Sequence, residues 1–478
     1  MQEYGCFING EFKESTKKIE IISPVTEEVL AKISSASVDD LDYALLSART
    51  ALKQWRKKSF KERAIVLREI KKIILDNLSE LAEIESKEIG KPLKESLFVD
   101  IPLAADVFDY YANFLEGLEG RSFFTENSED KISYLPYGVC GIYLPYNVPL
   151  MIFGFTAAGA LAGGNTLIIK PSEFASLSIL KLAEYVAKSG ILKGLINVLT
   201  GPGEMIGKSL ARSDIDLISF TGSRETLKHI VKESSVEPKK IICELGGCNQ
   251  AVIFKDADLK QAQENILASS FMKQGQICIG TSLVLIEDSV YPEVISSLVE
   301  KTEKITVGDP FDPLTGCGAV ISKRHLEELD KKVKDILKTG GRILCGGERL
   351  KKKGFFYKPT IIEINKVVYE EFFGPVIMVM PFRNEKQVEE IMEDNPTGLI
   401  TQIWTSDLKK ARKLANDCSA GTVWINTFAQ MSSQTPFGGV KKSGFGRNLG
   451  VEGFFEYVQA KHVGIGFDSS PVIGWFGE

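Results

Sequence analysis

The sequence predicts an α/β fold in which an open, doubly wound parallel sheet is joined to a second α/β unit. Three observations predict it. At 478 residues the chain exceeds the size at which one core keeps growing. From residue 166 short apolar runs alternate with helical patterns, the order expected of a parallel sheet with helices on both faces. A second alternating series runs from about 258 to 426.

The N-terminal region reads as mostly helical after a hairpin at Asn9-Gly10, a dipeptide suited to a two-residue turn. Ser37, three residues before Asp40, is placed to cap a helix whose face is Leu41, Ala44, Leu45, Ala48 and Leu52. Two further helical patterns cover about 60–78 and 94–116. In the first alternating series Thr166–Ile169 is a strand, followed by a helix ending near Gly190. Ile196–Thr200 is the next strand, a helix opens at Gly203, and Leu217–Thr221 and Lys240–Glu244 continue the series. In the second series the strands are Ser282–Glu287, Arg342–Leu344, Val376–Met380, Leu399–Trp404 and Thr422–Ile425. Helices are expected near 289–304, 323–338, 385–393 and 407–417.

Composition narrows the function. A net charge of −5 with interspersed signs offers no basic footprint for nucleic acid or an anionic membrane. Ile132 to Ile169 contains no charged residue and is long enough to span a bilayer. Pro136, Pro145, Pro149 and repeated glycines break it, so it reads as buried strands and turns. Eight cysteines without a CxxC pair are no disulfide scaffold, and Met1-Gln2-Glu3-Tyr4 lacks the marks of a secretory signal. A cytoplasmic setting is expected. Three histidines make a histidine triad or a zinc site a poor reading, and no metal is expected.

Five short stretches carry chemistry. Gly275-Gln276-Ile277-Cys278-Ile279-Gly280 sets one thiol in a glycine-flanked turn where backbone can approach a ligand. Glu244-Leu245-Gly246-Gly247 puts a carboxylate at the carboxyl end of a strand, where open α/β sheets bind ligands. Leu144–Pro149 holds Asn147 between two prolines that stiffen the loop. Gly201-Pro202-Gly203 opens a helix after a strand, a place for phosphate on backbone N–H groups, although it is not GxGxxG. Phe220-Thr221-Gly222-Ser223 is a second such corner.

Taken in order with Ala160–Glu173, Glu371–Pro375 and Pro436–Arg447, these stretches resemble the aldehyde dehydrogenase superfamily over nearly the whole chain. The interval from Glu244 to Cys278 resembles the family's spacing of base and nucleophile. The resemblance implies Cys278 as nucleophile, Glu244 as general base and Asn147 as oxyanion donor. It implies Lys170 and Glu173 at the adenine ribose, Ser223, Gly203 and Gly246 along the cofactor, Glu371 at the nicotinamide ribose and Phe373 against the ring. By the same matching Val148, Ile152, Phe155, Ile277, Ile279 and Phe437 line an apolar substrate pocket with no cation. The substrate is then an uncharged aldehyde, aromatic or medium-chain. Semialdehydes or hydroxyaldehydes are the alternatives. A coenzyme A-acylating enzyme or a silent structural homologue fits less well, because Glu244 is retained. NAD is the expected cofactor, with NADP also used, since Glu173 would repel a 2′-phosphate that Lys170 partly offsets.

The resemblance also divides the chain. Residues 1–117 and 137–246 form the dinucleotide-binding domain, 247–447 the catalytic domain, and 118–136 with 448–478 a β oligomerisation element. A homodimer or homotetramer follows, with the apolar tail Ser469–Phe476 packed on protein surface. Three positions depart from the family pattern: Tyr146 where tryptophan is usual, Leu227 where glycine is common, and Cys248 where lysine is more usual.

Overall fold

The computed structural model describes residues 2–467, so the tail Ser469–Phe476 lies outside the described residues. Its opening hairpin pairs Cys6–Ile8 with Glu11–Lys13. Asn9 and Gly10 turn it with φ of 55° and 81°, the left-handed pair a tight hairpin demands. Ser37 starts the helix Val38–Trp55 with a complete capping box. Its hydroxyl accepts the Asp40 N–H, and the Asp40 carboxylate accepts the Ser37 N–H at 2.9 Å.

The first large sheet runs, strand by neighbouring strand, 444–445, 240–245, 217–222, 139–143, 166–170, 196–198, 6–8 and 11–13. Its central five strands are parallel. Chain order reverses between Val139–Tyr143 and Leu217–Gly222, so the doubly wound sheet has its switch point there. The second sheet runs 342–345, 360–363, 376–382, 281–287, 249–253, 400–404 and 422–425, all parallel except the outermost Arg342–Cys345. A third sheet of Arg121–Phe124, Ser128–Pro136 and Val458–Gly466 is antiparallel.

One segment stitches the two large sheets together. Val440–Lys441 pairs with Thr397–Gly398, and Gly444–Phe445 pairs with Cys243–Glu244 at the edge of the first sheet. Asn165 works similarly inside the first half. Its side chain accepts from Gly138 N–H and donates to the carbonyls of Ala160 and Tyr457, each at 2.9 Å.

Several elements differ from expectation. The uncharged run 132–169 contains a helix, Pro149–Ala162, as well as strands. All fourteen of its residues are buried, so it carries no polar face and no helical period for a sequence reading to detect. The pattern over 60–78 is a helix Phe60–Asp76, then Asn77, then a separate helix Leu78–Ile89. The helix expected from 94 is interrupted by a π-turn at Ser96–Asp100 before Ile101–Glu116. At Gly203 the chain makes a π-turn, Gly203–Gly207, and only then a short helix Lys208–Arg212. The N-terminal region is less helical than its pattern suggests, because Gln2–Tyr4, Lys18–Ile22 and Val29–Ser34 form a small sheet. No helix among the described residues is long and apolar enough to cross a membrane.

Candidate active site

The switch point gathers the predicted residues. Asn147 lies in the loop leaving Val139–Tyr143, Ser223 follows Leu217–Gly222, Lys170 ends Thr166–Lys170, and Glu244 sits near the end of Lys240–Leu245. All lie at the carboxyl edge of the parallel strands, where the two halves of a doubly wound sheet part. Cys278 comes from the other unit, in the turn between the helix Leu259–Phe271 and the strand Thr281–Glu287.

The turn around Cys278 is held on both sides. Asn147 Nδ2 donates to the Gln276 carbonyl at 2.8 Å, and Asn249 Nδ2 donates to the carbonyls of Cys278 at 2.6 Å and Gly280 at 2.9 Å. An amide carries two N–H groups, so Asn147 fixes the loop with one and keeps the other. Gly275 has φ of 67°, and a Cβ there would stand 2.1 Å from the Gly374 carbonyl. Only glycine lets the thiol loop lie against the Glu371–Pro375 loop.

Glu244 is buried. Its Oε2 accepts the Gly439 N–H at 3.3 Å, while Oε1 has no hydrogen-bond partner among the described residues. Burial drives its pKa well above the usual carboxylate range, against the pull of Arg447. Burial first, then the nearby carboxylates of Glu244 and Glu371, push the Cys278 thiol up to about 12. Burial thus disfavours the charged forms of both the thiol and the Glu244 carboxyl.

The remaining predicted residues fall into two groups. Glu371 Oε1 accepts the Gly247 N–H at 3.0 Å, and a Cβ on Gly246 would fall 1.8 Å from the same oxygen. Burial raises Glu371 to about 7. Phe373 has φ of 51°, and its carbonyl accepts a hydrogen bond from His325 Nε2 at 2.7 Å. Its ring stands edge-on to Tyr146 at 6.0 Å. Lys170 and Glu173 form a pair at 3.1 Å; burial raises Glu173, but Lys170 together with the backbone N–H groups of Glu173 and Gly203 holds the carboxyl low. Ser223 caps its own helix, accepting the Thr226 N–H at 3.2 Å, and a Cβ on Gly203 would meet open space. Leu227 packs against the first sheet's core, and Cys248 is buried in the second sheet's core, where burial raises its thiol.

A cavity of about 500 Å³ opens beside the thiol turn. Ile277 and Ile279 line it as expected, together with Met151 and Phe428. Val148, Ile152, Phe155 and Phe437 do not. They lie in the core, with Phe155 and Phe437 edge-on at 6.0 Å. The cavity also carries Asp100, Asp106 and Lys273, which the sequence reading missed. Nothing in their local sequence marks them, because the π-turn and the thiol turn bring them there. His325 and Asn249 were missed because each acts through a backbone carbonyl on a distant segment.

A family model described as the aldehyde dehydrogenase family matches residues 12–463. The chain belongs to the aldehyde dehydrogenase family. It is 39% identical to a betaine aldehyde dehydrogenase of Bacillus subtilis over 96% of each chain. It is 36% identical to a chloroplastic aminoaldehyde dehydrogenase of Arabidopsis thaliana, over 98% of this chain and 97% of that one. Among solved structures, betaine aldehyde dehydrogenase of Staphylococcus aureus in complex with NAD+ superposes with a TM-score of 0.96 at 33% identity, covering 99% of this chain and 97% of that one. This aldehyde dehydrogenase is accordingly an oxidoreductase of mixed α/β fold.

The electrostatics predict how the thiol reacts. Because burial and two carboxylates hold Cys278 protonated, its alkylation by iodoacetamide in the free enzyme should rise about tenfold per pH unit from 7 to 9. Peptide mapping of the labelled site checks this, and a plateau below pH 9 contradicts it.

Proposed function

We propose that this aldehyde dehydrogenase is a hydrolytic enzyme using NAD, with Cys278 as nucleophile, Glu244 as base and Asn147 as oxyanion donor. The observation that carries the reading is Glu244. It is a buried carboxyl beside the thiol turn with one oxygen unpartnered, which is what a water-activating base requires. Transfer of the acyl group to coenzyme A needs no such base.

The chain's own groups then divide the work. The Cys278 thiol gives its proton to water in the cavity and its sulfur bonds to the aldehyde carbon, moving the carbonyl electron pair onto oxygen. The second N–H of Asn147 and the Cys278 backbone N–H face the developing oxyanion, an interaction typically worth about 3 kcal/mol per donor. NAD, when bound, supplies the acceptor for the hydride, leaving a thioester on Cys278. Glu244 takes a proton from water, whose oxygen bonds to the thioester carbon; the carbon–sulfur bond breaks and the acid leaves.

The residues present suit the dinucleotide. Lys170 and Glu173 would meet the adenine ribose, Gly203 and Ser223 the phosphates, and Glu371 the nicotinamide ribose, with Gly246 and Phe373 beside the ring. Gly246 supports this, since any side chain there would displace the Glu371 carboxylate. The charge on Glu173 favours NAD over NADP.

The substrate reading is an uncharged, partly apolar aldehyde. Ile277, Ile279, Met151 and Phe428 supply the apolar wall, and the one cation there among the described residues, Lys273, is engaged by Asp100 at 3.1 Å. Asp106, exposed in the same cavity, favours a second reading, an ammonium-bearing aldehyde, and both readings disfavour anions. The domain division at 117, 137, 247 and 447 is proposed with it. The third sheet supports a homodimer or homotetramer: Val458–Gly466 is exposed along almost its whole length, and Phe123 and Phe124 point outward. Eight free thiols suit a cytoplasmic setting.

Three measurements test these proposals. Glu244→Gln should form at most one NADH per site in a burst and then turn over at least about a hundredfold more slowly; an unchanged steady rate removes Glu244 as base. With NAD, which should give a higher kcat/KM than NADP, benzaldehyde or hexanal should exceed succinic semialdehyde by tenfold or more, on the order of 1.4 kcal/mol. Betaine aldehyde ranking first, with the advantage lost in Asp106→Asn, selects the second reading, and succinic semialdehyde ranking first excludes both. Sedimentation at micromolar concentration should give a dimer or tetramer, and a stable monomer excludes the assembly.

A further inference from the structure

The chemistry proposed above needs two loops from different sheets to meet, the thiol turn and the Asn147 loop. A buried chain of ions runs between them. Lys273, five residues before the thiol, sets its Nζ 3.1 Å from Asp100 Oδ1. Asp100 Oδ2 accepts from Lys91 Nζ at 2.5 Å, and Lys91 also donates to Glu85 Oε1 at 2.5 Å. Glu85 Oε2 in turn accepts the Leu150 backbone N–H at 3.1 Å, three residues past Asn147. No side chain in this series is more than 3% exposed.

Stability alone is a weak reason to bury these charges. Desolvation offsets most of their attraction, and apolar residues of similar volume often serve a fold as well or better. The backbone beside Lys273 supplies a stronger reason. Lys273, Gln274 and Gly275 have φ of 52°, 56° and 67°, three left-handed residues in succession. Two of them carry side chains, at a cost of about 1–2 kcal/mol each. Such a conformation persists only where its surroundings dictate it. Both oxygens of Glu95 accept the Lys273 backbone N–H, at 3.0 and 3.2 Å. On the opposite side Gln274 Nε2 donates to the Ala319 carbonyl at 2.7 Å, and Gln276 Oε1 accepts the Ile321 N–H at 3.0 Å. The ion chain ties the same strained turn to the start of the helix that follows Asn147.

We infer that the chain Lys273–Asp100–Lys91–Glu85 sets the thiol turn against the oxyanion loop, with Lys273 as a positioning residue for Cys278. The inference rests on the roles proposed for Cys278 and Asn147.

The test is the double variant Asp100→Leu/Lys273→Met, which removes one charge of each sign and leaves Lys91 paired with Glu85. It should unfold at a midpoint close to that of wild type and bind NAD with an unchanged Kd by fluorescence titration. Its single-turnover rate of NADH formation at saturating aldehyde should fall on the order of 10- to 100-fold, the penalty of a misplaced nucleophile. A role in stability alone would move the midpoint and leave that rate. If the double variant does not fold, Lys273→Arg keeps the charge while changing the reach, and its rate should fall at least about fivefold. A single-turnover rate within about threefold of wild type in the folded variant overturns the inference. Cys278→Ala, measured alongside, separates the two claims. If it stays active, the nucleophile reading fails; if it is inactive while the double variant keeps the wild-type rate, only the inference fails.

Discussion

Glu244 sits at a strand end, buried, with one oxygen that no protein group satisfies, and an isolated strand end would not hold a carboxylate there. The segment 436–447 does so. Gly444–Phe445 pairs with Cys243 and Glu244 and covers the sheet edge. Gly439 gives its N–H to one oxygen, and a Cβ on Gly438 would stand 2.6 Å from the other. Arg447 holds this turn by donating to the carbonyls of Gly439 and Gly446. The same segment pairs with Thr397–Gly398 of the second unit. Covering the carboxyl and joining the two sheets are therefore one structural event.

That burial sets the electrical state of the whole site. Removing Glu244 from water raises its pKa, and with Glu371 it helps raise the thiol to about 12. Reactivity must then come from whatever lowers the cost of the thiolate at the moment of attack. A cation bound beside Cys278 would do this by Coulomb attraction.

The sequence carried most of the fold and drew attention to the residues that the fold brings together, for reasons visible in particular residues. Asn9-Gly10 and the Ser37–Asp40 pair are local signals, and both elements form as their side chains dictate. The alternating series is periodic and placed the parallel strands well. Pro149–Ala162 was missed because a helix buried on every side has no period to read. Asn147, Glu244 and Cys278 stood out because glycines and prolines around them mark places where backbone must do something unusual. The pocket was read poorly for the opposite reason. Its walls come from the π-turn at Ser96–Asp100, the helix at Met151, the thiol turn and the loop at Phe428. No short stretch of sequence records which faces of four separate segments meet, so Val148, Ile152, Phe155 and Phe437 went into the core instead.

The same reasoning explains why the site tolerates strain on the thiol side. The first sheet contributes Glu244 near a strand end, and Asn147 on the loop leaving another strand, both carried by strands that parallel pairing already fixes. The second contributes the thiol on a turn, with three left-handed residues before it and, after it, a strand whose register shifts against Asn249 and Gln250. A turn has no ladder of its own to set its position, so its place must be imposed from outside. Asn147, Asn249, Gln274 and Gln276 impose it through backbone carbonyls and N–H groups, and Glu95 through the backbone of Lys273. Each of these bonds fixes the turn relative to a different segment. A thiol on such a turn can therefore be placed precisely without belonging to a regular element, provided that enough independent segments agree on where it goes.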